Sequence, residues 1–552
     1  MSSLLKSFLF AVCSASFALG STLNGASISR GLSSRNSDIV INRTLELSVP
    51  SLPPAGRQII DANYQSYSIE FSYMLDYAGN LSNPNTFSSR MLQNLKDISG
   101  AYPIIRAGGT TQNRAIWIQN QTVALIEKFS ASSPDQPSSL SVGPSWLESF
   151  QTFPKGTQYI FGLSFQDGAA GLEQVLLEAV PTVKELGNSL YAFEIGNEVD
   201  GFPGGSRRPA NYTVQSYVTQ WLQYAAVIEN ATGTEGEALF QAAAFEAPRK
   251  LGNATDWNAE SILRDGIAET GVVKTISEHD YMGSACADTT QHATLEGNLL
   301  NHKHMTSIAY FHDYLSNYTV AHGSEYVLGE TNSISCQGQA NISDVFGAAL
   351  WSIDYVLYMS TLHVSRLYFH GGTPYRYSAW QPIAIGDVPA HPKALYYGNL
   401  FTATAFMGGN KQVEILVNET SFTAYAVYDA GKGERVKPKL TGVVLVNLGI
   451  WNSTQNAMER PYTEVKLPNE LRGGCVRRLT GPGAETANNM TFAGRSMGLD
   501  GRYVGEEVLE KVQSEGEESE VTKVGSGQII TVSTIQALFL FSGKFLGTAA
   551  LA

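Results

Sequence analysis

The sequence predicts an α/β protein, a (β/α)8 barrel joined to a C-terminal antiparallel β-sandwich that also takes in N-terminal strands. Short apolar, strand-like runs alternate with helix-like segments such as Gly171 to Leu186 and Val214 to Asn230, the alternation expected of a parallel sheet. Two of those runs end in carboxylates, Glu198 and Glu330. They lie 132 residues apart, roughly three strand–helix units of about 40 residues each. Beyond Asn399 the texture changes to alternating apolar runs separated by Gly, Asn and Pro clusters, which reads as antiparallel sheet. The resulting plan is a signal segment at 1–20, N-terminal sandwich strands at 21–58, the barrel at 59–399 and the sandwich at 400–552.

Taken in order, residues 1–20 carry Lys6, an apolar run from Phe8 to Leu19, and small residues Ala18 and Gly20 ahead of Ser21. That is a secretory signal peptide; a membrane span needs about 20 apolar residues, so no membrane anchor is expected. Eleven Asn-X-Ser/Thr sequons follow, at Asn42, Asn80, Asn120, Asn211, Asn230, Asn253, Asn317, Asn341, Asn418, Asn452 and Asn489, a density that fits a secreted glycoprotein. From Ser37 to Pro54, partial alternation broken by Pro50, Pro53 and Pro54 suggests one or two strands that pair outside the barrel.

The eight barrel strands fit Tyr67 to Phe71, Pro103 to Arg106, Gln158 to Phe165, Tyr191 to Ile195, Leu239 to Phe245, Val273 to Tyr281, Tyr326 to Gly329 and Arg366 to His370. The sandwich runs are Val413 to Val417, Phe422 to Val427, Gly442 to Val446 and Gln528 to Phe541. The charge run Glu506 to Glu520 reads as a solvated acidic loop or hairpin.

With Cys13 lost to the signal, three cysteines remain without metal-ligand spacing, and neither a metal nor a cofactor is expected. Cys286 and Cys336 follow strands six and seven on neighbouring loops and are expected to be bonded, leaving Cys475 a free thiol in the sandwich. The net charge of −13 speaks against nucleic acid and long sulfated polyanions, which need a basic track.

The chemistry concentrates at the strand ends. Asn197-Glu198 closes strand four and Glu330 closes strand seven, and two strand-end carboxylates suggest glycoside hydrolysis. Tyr281, ending strand six, can donate a hydrogen bond to Glu330 or serve as a half-buried packing aromatic. His279 is either a site residue or a satisfied core histidine. Glu194, deeper in strand four, fits a structural role. Glu70 can accept from sugar hydroxyls or pair with Arg106 on the barrel floor. Gly108-Gly109-Thr110-Thr111 lacks the Gly-Lys-Ser/Thr ending of a phosphate loop, and Thr110 fits sugar contacts from a tight turn. After strand eight, His370-Gly371-Gly372-Thr373-Pro374-Tyr375 offers backbone N–H groups that can converge on an anion, with Gly372 and Tyr375 as candidate contacts.

Together, Ser-Ile-Glu-Phe, Ile-Arg-Ala-Gly-Gly-Thr-Thr, Glu-Ile-Gly-Asn-Glu, Glu-His-Asp-Tyr, Gly-Glu-Thr-Asn and the strand-eight glycine loop resemble glycoside hydrolase family 79, from about residue 60 to the C-terminus. The resemblance implies a barrel with a β-sandwich and a retaining mechanism with Glu198 as acid/base and Glu330 as nucleophile. It also implies Glu70, Asn197 and Tyr281 around the sugar, with the glycine loop near a uronate carboxylate. The family holds exo-acting β-glucuronidases and endo-acting heparanases. Heparan sulfate would need clustered Lys and Arg, so the acidic balance favours a secreted exo-β-glucuronidase acting on terminal, plain or 4-O-methylated glucuronic acid of glycans such as plant arabinogalactan proteins.

Overall fold

The computed structural model describes residues 28–29, 43–246, 256–286, 292–433, 436–455, 458–471, 473–512 and 529–541. The signal segment, the sequons at Asn42 and Asn253 and the end of the acidic run lie outside the described residues.

Eight parallel strands close the barrel: β1 (Gln65–Glu70), β2 (Ile105–Gly108), β3 (Tyr159–Leu163), β4 (Leu190–Ile195), β5 (Phe240–Phe245), β6 (Val273–Tyr281), β7 (Glu325–Asn332) and β8 (Val364–Gly371). Each coincides with a strand expected from the sequence, with ends shifted by a few residues. All but the first residue of β7 and scattered positions of the others are buried, which is why they read as apolar runs rather than as alternation. At the barrel floor Ile104, Ile160, Ala192, Val327 and Tyr368 form an apolar plug, and the polar inward residues sit above it. Among the surrounding helices, α1 (Phe346–Met359) and α2 (Ala394–Ala405) are buried nearly all round, because the barrel covers one side and the sandwich the other.

The sandwich has a seven-stranded sheet containing Lys411–Asn418, Phe422–Asp429, Lys439–Asn447, Gln536–Phe541 and Cys475–Thr480, and a four-stranded sheet containing Ile28–Ser29, Arg43–Glu46, Tyr462–Lys466 and Ile529–Ser533. Strand residues of the larger sheet alternate between two cores. Ala424, Val443, Leu445, Leu538 and Leu540 face Leu45, Val465, Ile530 and Val532 of the smaller sheet, while Tyr425, Val444, Val446 and Phe539 join the main core with α1 and α2. Burial of both faces explains the unbroken apolar runs. Tyr425 donates to Asp354 Oδ1 at 2.6 Å, tying the sandwich to α1.

Three details differ from expectation. Arg43–Glu46 joins its neighbour Tyr462–Lys466 in parallel. A parallel pair needs a long crossover, and here the whole barrel intervenes. The run Gln528 to Phe541 is two strands in opposite sheets, divided at Ile535, whose φ is 49°. In the described part of the acidic run, Glu507 and Glu510 pair with Arg477 and Arg478, both at 2.8 Å, and Glu510–Lys511 adds to the larger sheet. Like-charged residues in a row are held apart by arginines on a neighbouring strand, which the local charge pattern does not reveal.

Leu45 is 1% exposed between the two sheets. Leu45→Ala is expected to destabilise the sandwich by about 2–5 kcal/mol, read as a lower midpoint in differential scanning calorimetry, with activity at 25 °C retained.

Candidate active site

At the C-terminal mouth of the barrel, local irregularities aim the side chains. Register slips by one residue between β6 and β7, so that Glu278 pairs with Leu328 but His279 with Glu330. The bulge turns both Gly329 and Glu330 inward. Position 329 must then be glycine, because a Cβ there would overlap Ser277 Oγ. After β4 the chain turns through Gly196 and Asn197 to Glu198, which takes a left-handed conformation at φ 51° and whose N–H donates to Ala244 O at 2.7 Å. Ala243 and Ala244 at the end of β5 have φ of 74° and 53°. Non-glycine residues in this region carry strain, and here it places Glu198 opposite Glu330.

The centre of the site is Arg106 on β2, fully buried. Its Nε donates to both oxygens of Glu194 at 2.9 and 3.1 Å, Nη1 to Ser68 Oγ at 2.8 Å and Glu330 Oε2 at 2.9 Å, and Nη2 to Glu194 Oε1 and Asn197 Oδ1, both at 2.6 Å. All five N–H donors are therefore satisfied. The expected alternative partner, Glu70, is not one of them. Glu194 is buried beneath the mouth, also accepting from Gln241 Nε2 at 2.6 Å, in keeping with its structural reading.

Glu330 receives a second donor, the Tyr281 hydroxyl, at 2.7 Å from Oε1. His370 lies between two carboxylates, its Nδ1 2.8 Å from Ser68 Oγ and 3.7 Å from Glu330 Oε2, its Nε2 3.4 Å from Glu70 Oε2. Burial opposes charge on His370, but Glu330 and Glu70 outweigh it and raise its pKa. Burial likewise opposes charge on Glu330, yet His370, Arg106 and the Tyr281 hydrogen bond hold its carboxyl well below the usual carboxylate range. Glu198 differs. Burial, then the charges of Glu330 and Glu246, push it up to about 8, although its side chain stays 30% exposed in the mouth. His279 Nδ1 is 3.1 Å from Glu198 Oε1, and burial pulls this imidazole down to about 4, so it is neutral near pH 7. Glu198, His279 and Glu330 each offer one atom within 4.8 Å of the others. A divalent ion could use that spacing, but the Arg106 guanidinium already stands beside Glu330. One carboxylate kept ionised next to another kept protonated can supply a nucleophile and an acid.

The remaining expected residues are placed less simply. Asn197 is buried, its Oδ1 on Arg106 and its backbone clamped by Asn113, whose Nδ2 donates to Asn197 O at 2.7 Å and whose Oδ1 accepts from Asn197 N at 3.1 Å. Glu70 is 1% exposed, and both oxygens are taken by protein donors: Thr111 N and Oγ1 at 2.8 and 2.5 Å on Oε1, Gln136 Nε2 at 3.0 Å and the Tyr375 hydroxyl at 3.3 Å on Oε2. Gly109, with φ 113°, lets the turn pass this carboxylate; a Cβ there would sit 2.8 Å from Glu70 Oε1. Thr111 thus holds Glu70 from this turn, and Thr110 is half-buried beside it. In the strand-eight loop Gly372 N–H donates to Ser378 Oγ at 3.2 Å, and Tyr375 is buried with its hydroxyl on Glu70 and Gln136. Cys286 and Cys336 are bonded as expected, with a Cα separation of 5.2 Å, and Cys475 is a buried free thiol.

A family model, the glycosyl hydrolase family 79 C-terminal beta domain, matches residues 424–538. A β-glucuronidase of Aspergillus niger is 35% identical over 457 residues, 78% of this chain and 82% of that protein. The chain belongs to glycosyl hydrolase family 79. It is a glycoside hydrolase. The crystal structure of a 4-O-α-L-rhamnosyl-β-D-glucuronidase from Fusarium oxysporum, in complex with Rha-GlcA, superposes with a TM-score of 0.73 at 25% identity, covering 90% of this chain and 100% of that one. The family 51 α-L-arabinofuranosidase AbfB of Bifidobacterium longum gives 0.55 at 12% identity, covering 92% and 100%, a likeness of fold alone.

In this family 79 chain the sequence reading missed Arg106 as the hub, Ser68, Asn113, Gln136 and the position of His370 between two carboxylates. Arg106 and Ser68 stand at inward positions of β2 and β1, a weak signal once the register is known. Gln136 has none: it arrives on the loop joining Leu125–Lys128 to Ser139–Val142 in a small sheet outside the barrel.

Arg106→Lys keeps a charge but loses the fork of donors. It is expected to cost about 1–3 kcal/mol in thermal unfolding and to raise the Glu330 pKa, moving the acid limb of the kcat/KM profile to higher pH. Cys286→Ser with Cys336→Ser is expected to raise KM through loosening of the β6 and β7 loops beside Tyr281 and Glu330, with the sandwich transition unchanged in calorimetry.

Proposed function

We propose that the chain is a secreted, retaining exo-β-glucuronidase that removes terminal β-linked glucuronic acid, with or without a 4-O-methyl group, from glycans. The observation that carries the mechanism is the facing pair, oxygens of Glu198 and Glu330 within 4.8 Å, close to the roughly 5–5.5 Å of retaining enzymes and short of the roughly 6.5–9.5 Å that leaves room for a water in inverting ones. Glu330, ionised, attacks the anomeric carbon while Glu198 gives its proton to the departing oxygen. Glu198, now a carboxylate, takes a proton from water as that water attacks C1 and releases Glu330. Raised and lowered pKa values suit these two roles in the resting enzyme.

The uronate rests on the relatives' activities. A. niger and F. oxysporum proteins of this likeness are glucuronidases, and the latter, a 4-O-α-L-rhamnosyl-β-D-glucuronidase, acts on a glucuronic acid that bears a 4-O substituent. Exo action is supported by the Gln136 loop. It reaches Glu70 and Tyr375 and is tied to the strand-eight loop by Asp135 and Arg376 at 3.0 Å, walling one side of the mouth. Secretion rests on the signal-like segment and the sequons; of the nine described sequon asparagines, eight are exposed and Asn80 is half-buried.

Glu330→Ala and Glu198→Ala are each expected to lower kcat by about 10²–10⁴-fold or more on natural glucuronides. Only Glu198→Ala recovers on an aryl glucuronide with an activated leaving group, and azide then yields a β-glucuronyl azide. Failure of rescue in both variants, or an inverted anomer by NMR, would overturn the assignment.

A further inference from the structure

His279 is 0% exposed on the inner face of β6. Its Nδ1 meets Glu198 Oε1 at 3.1 Å, and among the described residues its buried Nε2 has no hydrogen-bond partner. A neutral imidazole carries one N–H, and the two tautomers have different consequences here. With the proton on Nε2, a buried N–H is orphaned, and bare Nδ1 draws the Glu198 acid proton toward the histidine and away from a leaving group. With the proton on Nδ1, the atom left without a partner is a bare acceptor rather than a buried N–H, and Glu198 Oε1 is occupied by a donor.

We infer that His279 is a positioning residue which, as the Nδ1–H tautomer, caps Oε1 of Glu198 and confines the catalytic proton to Oε2. The inference rests on Glu198 being the acid/base. The same N–H serves both halves of the cycle. It donates to the carbonyl oxygen of the protonated acid, then more strongly to the carboxylate that deprotonates water, leaving Oε2 to lose and regain the proton. No change in histidine charge is required, and burial keeps the ring neutral. The hydrogen bond favours the ionised form and so opposes burial and the Glu330 charge at Glu198. The other groups acting on this pair are Glu330 on β7, Arg106 on β2, His370 on β8, Glu194 on β4, and Glu246 and Asp200 beyond β5 and β4, none of them altered by a substitution at His279.

Two variants separate positioning from packing. His279→Phe fills the volume without a donor; His279→Asn places an amide N–H near the former Nδ1. For His279→Phe, kcat/KM on a glucuronide with an alkyl leaving group should fall on the order of ten-fold or more. The basic limb should move up by on the order of one pH unit, and an aryl glucuronide with an activated leaving group should be hydrolysed at a glycosylation rate near wild type. His279→Asn should restore the limb. Equal loss on both substrates with an unmoved limb would overturn the inference. If His279→Phe does not fold, neutron diffraction of the wild-type protein at pH 6–7 decides it: deuterium on Nδ1 supports the inference, and deuterium on Nε2 or on both nitrogens overturns it. If azide fails to rescue Glu198→Ala, the acid/base reading falls first; rescue with an unmoved limb in His279→Phe sinks this inference alone.

Discussion

One buried guanidinium holds the site together. Arg106 reaches β1 through Ser68, β4 and the turn after it through Glu194 and Asn197, and β7 through Glu330, so three separate segments are fixed by one rigid planar group. Burying a cation costs several kcal/mol, and only full satisfaction by charged and polar acceptors offsets it. Here no donor is left over. A lysine would offer a point charge with no fork, and could not set the angle between Glu194, Asn197 and Glu330.

Around this group acidic and basic side chains alternate: Glu70, His370, Glu330, Arg106 and Glu194 follow one another. The consequence is that Glu330 stays ionised in a site dry enough to raise any isolated carboxyl. Glu198, the member on the rim, has no cation of its own and faces the Glu330 charge, so its proton is retained. Two identical side chains acquire opposite states from position alone.

Strain is concentrated where these groups are aimed. The left-handed Glu198 and the two alanines with positive φ beside it occur at the mouth, each costing on the order of 1–3 kcal/mol, and the bulge at Gly329 lies there too. The regular, closely packed barrel beneath over-determines them, and the sandwich buries the outer face of α1 and α2 so that the seventh and eighth units cannot relax outward.

The sequence by itself determined the class of fold and the identity of the facing pair. Strands buried on both faces must be apolar throughout, and carboxylates that end such runs stand out against them, as at Glu198 and Glu330. It also placed Cys286 and Cys336 on adjoining loops, because neighbouring strands of a barrel are consecutive in the chain. What the tertiary structure decided is everything that depends on which inward side chains meet across the barrel. Arg106 read locally suits Glu70 as well as Glu194; only strand register and stagger give it Glu194 and Glu330. Gly372 looked like a free amide until Ser378, six residues on, folded back to take it. Gln136 reached Glu70 from a sheet outside the barrel. Hydrophobic period is a local property of the chain and survives in the sequence, whereas polar pairing inside a closed barrel joins residues up to 305 positions apart and is set by geometry that no local pattern encodes.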